Sequence, residues 1–194
     1  MQKTDIIKIR LGLYDITSHL CHCSHTYTED LPGAACDTEN PTAHDGWAFG
    51  MAQLFSGASP AMTAEFEVPY MQRLFPYFGA IYYGCCEKLD DRLDVIDRMP
   101  NIRKISCSPW SDRDHFASVL PKKYIMSNKP NPAFLAGTSF HEDLVREDLR
   151  HTIRAAKENG VCLEMSLKDI STVRHDPERL WRWAQIAVEE AEKA

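Results

Sequence analysis

From residue 80 onward the chain repeats one arrangement four times: a short apolar run, a polar turn, then a helical segment. The runs are Ala80 to Cys85, Ile102 to Ser106, Tyr124 to Ser127 and Val161 to Leu167. The helical segments are Arg92 to Met99 closed by Pro100, a stretch ending at Leu120, and a long one from His141 or Glu142 to Asn159 stopped by Gly160. The last is capped by Asp176-Pro177 and turns Leu180, Trp183, Ala184, Ala187 and Val188 inward. Such alternation predicts an α/β fold with a parallel sheet and right-handed crossovers. Four units, or five with an N-terminal strand, are about half of an eight-stranded barrel, which typically takes about 250 residues. The expected class is therefore a partial TIM-barrel-like (βα)4–5 sheet. A half-barrel leaves sheet edges and an inner face open, so pairing of two copies is expected.

Before residue 80 the signal changes. Ile7, Ile9, Leu11 and Leu13 alternate as a strand does, with a short helix as the competing reading. Residues 1–44 are otherwise irregular, with a Pro32-Gly33 turn. Residues 45–79 read as helices: Trp47, Met51, Leu54 and Phe55 recur at spacings of three to four, and Ser59-Pro60 opens a second helix as N-cap and first residue. Met62, Phe66, Tyr70, Leu74 and Phe78 form its stripe, and Pro69 should kink or divide it. The expected organisation is one domain over 1–194.

Composition enters by what it excludes. A net charge of −6 argues against a nucleic acid or an anionic membrane surface as the main partner. No apolar run approaches the roughly 20 residues that span a bilayer. The N-terminus lacks the apolar centre of a signal peptide, and 7 cysteines in a chain this long read as reduced thiols, so a cytoplasmic location is expected.

The carboxyl ends of parallel strands are where α/β proteins place reactive side chains. Here they carry Cys85-Cys86-Glu87, Ser108-Trp110-Asp112, Lys129-Pro130-Asn131-Pro132 and Lys168-Asp169. Glu87, Lys168 and Asp169 are the candidate catalytic groups. Ser108, Trp110, Lys129 and Asn131 are the candidate ligand contacts, the rigid proline turn presenting an amine and an amide. Adjacent cysteines on a strand face opposite ways, so Cys85 is the single candidate metal ligand and packing accounts for at least one of the pair. A second cluster, His19, Cys21, His22, Cys23 and His25, has soft donors suited to zinc, but its C-x-C spacing is not that of a structural zinc knuckle, and a polar loop is the competing reading.

The segments SPAMTAEFEVPYMQRLFPYFG, IYYGCCEKLDDRLDVIDRMPNIRKISCSPWSD, YIMSNKPNPAFLA and LKDISTVRHDPERLWRWAQIA together resemble the C-terminal half of the uroporphyrinogen decarboxylase superfamily, over about residues 45–190. The nearest likeness is to its cobalamin-dependent methyltransferase branch. That resemblance implies a site at the mouth of a (β/α)8 barrel. It also implies a zinc ion held by a His-x-Cys pair and a later Cys, which activates a thiol for methyl transfer from a corrinoid protein. Tyr83-Gly84-Cys85 occupies the His-x-Cys place, so only Cys85 matches, and the later cysteine falls near Asp169. The arginines and aspartate of the decarboxylase branch lie in a half of the barrel that this chain lacks, so decarboxylation is not expected. Two functions follow as expectations: a methyltransferase-like or demethylase-like component beside a corrinoid protein, or a non-catalytic half-barrel that dimerises and binds a small ligand.

Overall fold

The structure, a computed structural model, describes residues 7–9 and 42–194. Along the chain the elements are β1 (Ile7–Ile9), β2 (Trp47–Gly50), α1 (Pro60–Phe66), α2 (Val68–Leu74), β3 (Ala80–Tyr83), α3 (Leu93–Ile96), β4 (Ile102–Cys107), α4 (Arg113–Val119), β5 (Ile125–Asn128), α5 (Ala133–Ala136), α6 (Glu142–Glu158), β6 (Cys162–Met165) and α7 (Glu178–Glu192). The class is α/β, and every recorded strand pairing is parallel. The four βα units stand where the apolar runs predicted them. Among the described residues no helix is long and apolar enough to cross a membrane.

Two compact units divide the chain: Tyr14–Ser106, and Met1–Leu13 with Cys107–Ala194. In the first, β2 pairs with β3 from Trp47↔Ala80 to Gly50↔Tyr83, and β3 pairs with β4 across a register shift at Ile81/Tyr82. Residues 47–50 are thus a strand, where helical spacing was expected. The spacing of Trp47, Met51 and Leu54 fits a helix locally, but the ladder to β3, thirty residues on, satisfies the backbone instead. A 3-10 turn, Ala52–Phe55, is what remains of that helix.

Ser59 caps α1, its hydroxyl accepting from the Met62 N–H at 3.2 Å, with Pro60 at the first position. The helix divides at Glu67, so Pro69 falls within the first turn of α2, where its missing N–H costs no bond. The stripe of Met62, Phe66, Tyr70 and Leu74 is exposed, and Thr63, Glu67 and Val68 face the core instead. Helix α3 is shorter than the span to Met99, the chain leaving it through turns that reach Asn101 at φ 61°.

In the second unit β6 lies between β1 and β5, in register Ile7↔Leu163 and Ile125↔Cys162. Val145, Leu149 and Ile153 of α6 are buried with Trp183, Ala184, Ile186 and Ala187 of α7. Ile186 takes the inward place expected for Val188, which is exposed. Asp176 does not cap α7 and instead accepts from the Arg179 Nε at 3.3 Å.

Candidate active site at the strand ends

Strand β3 stops at Tyr83 because Gly84 adopts φ +93°, a conformation that L side chains rarely take. A Cβ on Gly84 would meet Leu89 Cδ1 at 2.6 Å and Ser106 Cβ at 2.9 Å, so the turn requires glycine on steric grounds as well. The Gly84 N–H donates to Gly50 O at 2.8 Å, which continues the ladder. Beyond it the peptide of Cys85 is held on both sides: its N–H donates to Glu87 Oε1 at 2.8 Å, and its carbonyl accepts from Ser106 Oγ at 2.7 Å. The second Glu87 oxygen, Oε2, is buried with no hydrogen-bond partner. A buried carboxylate oxygen left open in this way is a group waiting for a donor.

The Tyr83 side chain points into the unit, and its hydroxyl donates to Glu67 Oε2 at 2.8 Å. Glu67 is a residue that sequence reasoning passed over. Burial pushes its carboxyl above the usual range, against the Tyr83 hydrogen bond, with the Glu87 charge adding to the rise and Arg92 opposing it. Burial, and then the Glu67 charge, push the Tyr83 phenol up as well. Arg92 is buried beside them, donating through Nη1 to Thr63 Oγ1 at 3.1 Å and to Phe55 O at 3.2 Å. The signal in the sequence was a glutamate, beside Glu65 and next to the apolar stripe, just before Val68-Pro69.

Cys85 is buried and Cys86 half-buried, neither is in a disulfide, and their sulfurs lie 3.5 Å apart. The opposed orientation expected of neighbouring strand residues does not apply, because the strand ends before them and the Gly84 bend intervenes.

In the second unit the ladder runs one residue past each strand. The Lys129 N–H donates to Cys107 O at 2.9 Å, and the Ser166 N–H to Asn128 O at 3.0 Å. The ends of β4, β5 and β6 are therefore side by side, as the βα pattern required. Lys129 and Ser108 are buried there. Ser108 Oγ accepts from the Trp110 N–H at 3.2 Å, Asp112 caps α4 through the His115 N–H at 3.0 Å, and Trp110 itself is exposed. Asn131 Oδ1 accepts from the Ala133 N–H at 2.9 Å at the start of α5. Those side-chain oxygens serve the turns that carry them. Lys168 Nζ and Asp169 Oδ2 are 4.0 Å apart, and Asp169 sits at φ +57° in a loop that also holds Arg174 and His175 at positive φ. Non-glycine residues in this region carry strain of the sort that clusters at working sites.

Asn128 was not foreseen. It is buried at the end of β5, and neither its Oδ1 nor its Nδ2 has a hydrogen-bond partner. An amide with both ends open in the interior offers a donor and an acceptor together. A concavity of this unit runs elsewhere, along α6 among Arg113, Asp143, His151 and Arg154, and contains none of the strand-end groups. Chemistry, rather than cavity size, marks the strand ends as the candidate site.

The described residues do not fit the zinc centre that the resemblance implies. Tyr83, at the histidine place, is committed to Glu67, and Asp169 is exposed beside Lys168. Among the described residues no group of three His, Cys, Asp or Glu side chains is disposed to hold a metal ion. The cluster His19, Cys21, His22, Cys23 and His25 lies outside the described residues. The chain matches no protein-family model and none of the curated proteins with which it was compared.

Proposed function

We propose that this chain is a uroporphyrinogen decarboxylase-like protein that transforms a small molecule by acid–base chemistry at its strand ends, as a methyltransferase or demethylase component beside a corrinoid protein. The observation that carries the acid–base part is two buried carboxyls near the end of β3, Glu67 bonded to the Tyr83 hydroxyl and Glu87 to the Cys85 N–H with its second oxygen open. Burial and a neighbouring negative charge both raise the cost of ionising a carboxyl. Burial pushes the Glu67 carboxyl up, which suits Glu67 to carry a proton, and its Oε2 accepts from the Tyr83 hydroxyl. Glu87, with Oε2 open, is then the acceptor for a proton on the substrate. The corrinoid, on its own protein, would supply the methyl group; no step is routed through zinc.

Methyl transfer from methylcobalamin to a small thiol, followed by loss of the methyl–cobalt absorbance, tests this reading. Glu87→Gln should lower turnover by about 10²–10⁴-fold, the usual worth of a placed general base. Infrared titration should show one glutamic acid still protonated above the ordinary carboxylate range, and Glu67→Gln should remove it. Turnover unchanged in Glu87→Gln would overturn the role of Glu87.

One observation favours a second reading, a dimer that binds a small ligand without turning it over. Met62, Phe66, Tyr70 and Leu74 form an exposed apolar stripe along α1 and α2, flanked by exposed Glu65 and Arg73. Antiparallel pairing with a second copy would set Met62 against Leu74 and Phe66 against Tyr70. Light scattering on the intact chain and on Phe66→Ser decides it: a dimer that the substitution dissociates supports this reading, and a monomer excludes it.

A further inference from the structure

The turn after β3 presents two thiols that the acid–base reading leaves unused. We propose that Cys85 and Cys86 form a vicinal dithiol site for a trivalent arsenical or an equally thiophilic centre, bound through both sulfurs. Their separation of 3.5 Å is the first ground. A bridging atom with bonds to sulfur near ~2.3 Å, the length thiolates make to zinc, subtends about 100° at that separation, an angle that tetrahedral and pyramidal centres accept without moving the protein.

The second ground is that the sulfurs are placed by a braced turn. Gly84 is fixed at φ +93° by its neighbours, and the Cys85 peptide is tied to Glu87 at one side and to Ser106 at the other. Cys86 is half-buried, so one sulfur is open to an incoming reagent while the other is enclosed. The third ground is what the pair cannot easily do. Adjacent Cα atoms are about 3.8 Å apart, inside the ~4.4 Å lower limit usual for disulfides, so a Cys85–Cys86 disulfide would be strained and readily reduced. A bridging atom lengthens the link between the sulfurs and relieves that constraint. The dithiol is thus kept in the form that chelates.

With an arylarsenoxide the reaction is a condensation. Two arsenic–sulfur bonds form, the arsenic–oxygen bond breaks, and the two thiol protons leave with that oxygen as water. Arsenic stays trivalent and nothing is oxidised. The proposal rests on the turn and does not need the methyl-transfer reading, so either can fail alone.

Phenylarsine oxide is the probe, applied to the full chain with Cys21 and Cys23 changed to serine, because that C-x-C pair is also close in sequence. One arsenical per chain is expected, with the loss of two titratable thiols and reversal by an excess of a small dithiol. Cys86→Ser and Cys85→Ser should each weaken binding by at least about 100-fold, since two-point attachment is what raises affinity by 10²–10⁴. Peptide mapping of the adduct in the chain that keeps both cysteines needs no folded variant and should place the bridge on residues 85 and 86. A bridge through Cys36, Cys107 or Cys162, or binding within about threefold in Cys86→Ser, would overturn the proposal.

Discussion

Both units bury charged residues, but in different company. In Tyr14–Ser106, Glu67, Glu87, Asp90 and Arg92 are buried, while Phe66, Tyr70, Leu74 and Tyr77 lie outside. In the unit containing 107–194, Lys129, Glu164, Arg179 and Glu190 are buried, and Glu190 sits in a lattice of charges over α6 and α7. There Arg146 meets Glu190 at 2.7 Å and Glu189 at 2.6 Å, Arg150 meets Glu190 at 2.6 Å, and Arg182 reaches both Glu142 and Glu189. The same residue types end in opposite electrostatic states. Arg150 first, with Lys193 and Arg146, holds the Glu190 carboxyl down to about 2 against its burial. Burial holds the Glu67 carboxyl up. A carboxylate with several cations stabilises the fold by being charged; one with a phenol and another carboxylate beside it is easier to keep neutral. The first arrangement serves stability and the second is suited to proton transfer.

Four substitutions test that contrast. The largest effect is expected from Gly84→Ala, which combines positive φ with contacts at 2.6 and 2.9 Å. It should cost about 3 kcal/mol or more in urea unfolding, and a loss under ~1 kcal/mol would show that the turn is not braced.

Glu190→Gln should cost about 1–2 kcal/mol, less than a fully buried pair, because Arg150 and Lys193 are largely exposed. Its folded value is depressed, so its contribution is fully present above the ordinary carboxylate range and is lost as pH falls through about 2. Chemical unfolding at pH 5 and pH 2 should therefore show the gap to wild type closing at the lower pH.

Glu67→Gln should show the reverse sign. The folded pKa is raised, so the native protein loses stability as pH rises from the ordinary range toward the raised value. The amide does not titrate and can still accept from Tyr83. The variant's thermal midpoint should then gain on wild type by a few degrees as pH rises above the ordinary carboxylate range. A constant difference would remove the electrostatic account of Glu67. The smallest effect is expected from Phe66→Ser at high dilution: within about 0.5 kcal/mol, because the ring is exposed.

The four βα units were legible because strand and helix periods are local. Strand ends moved by one or two residues, as at β3, where Gly84 stops the pairing before Cys85. Strand β2 was not legible: Trp47–Gly50 carries helical spacing and becomes a strand only through β3. Of the candidate site residues, Cys85 and Glu87 do meet at one turn, and Lys129 and Ser108 lie on adjoining strand ends. Glu67 and Asn128 were missed, because a polar residue within an amphipathic stretch looks the same whether it faces water or the interior.

The sequence by itself determined the four βα units from residue 80 onward and the polar residues that follow each strand. Each is written within a few neighbouring residues, by periodicity. Tertiary structure alone decided which face of α1 and α2 is buried, and hence that Glu67 meets a phenol sixteen positions away. Burial is a property of what packs against a residue, so no local pattern records it. The same holds for the two sulfurs: their adjacency is in the sequence, and their shared direction comes from the bend that the packed turn imposes.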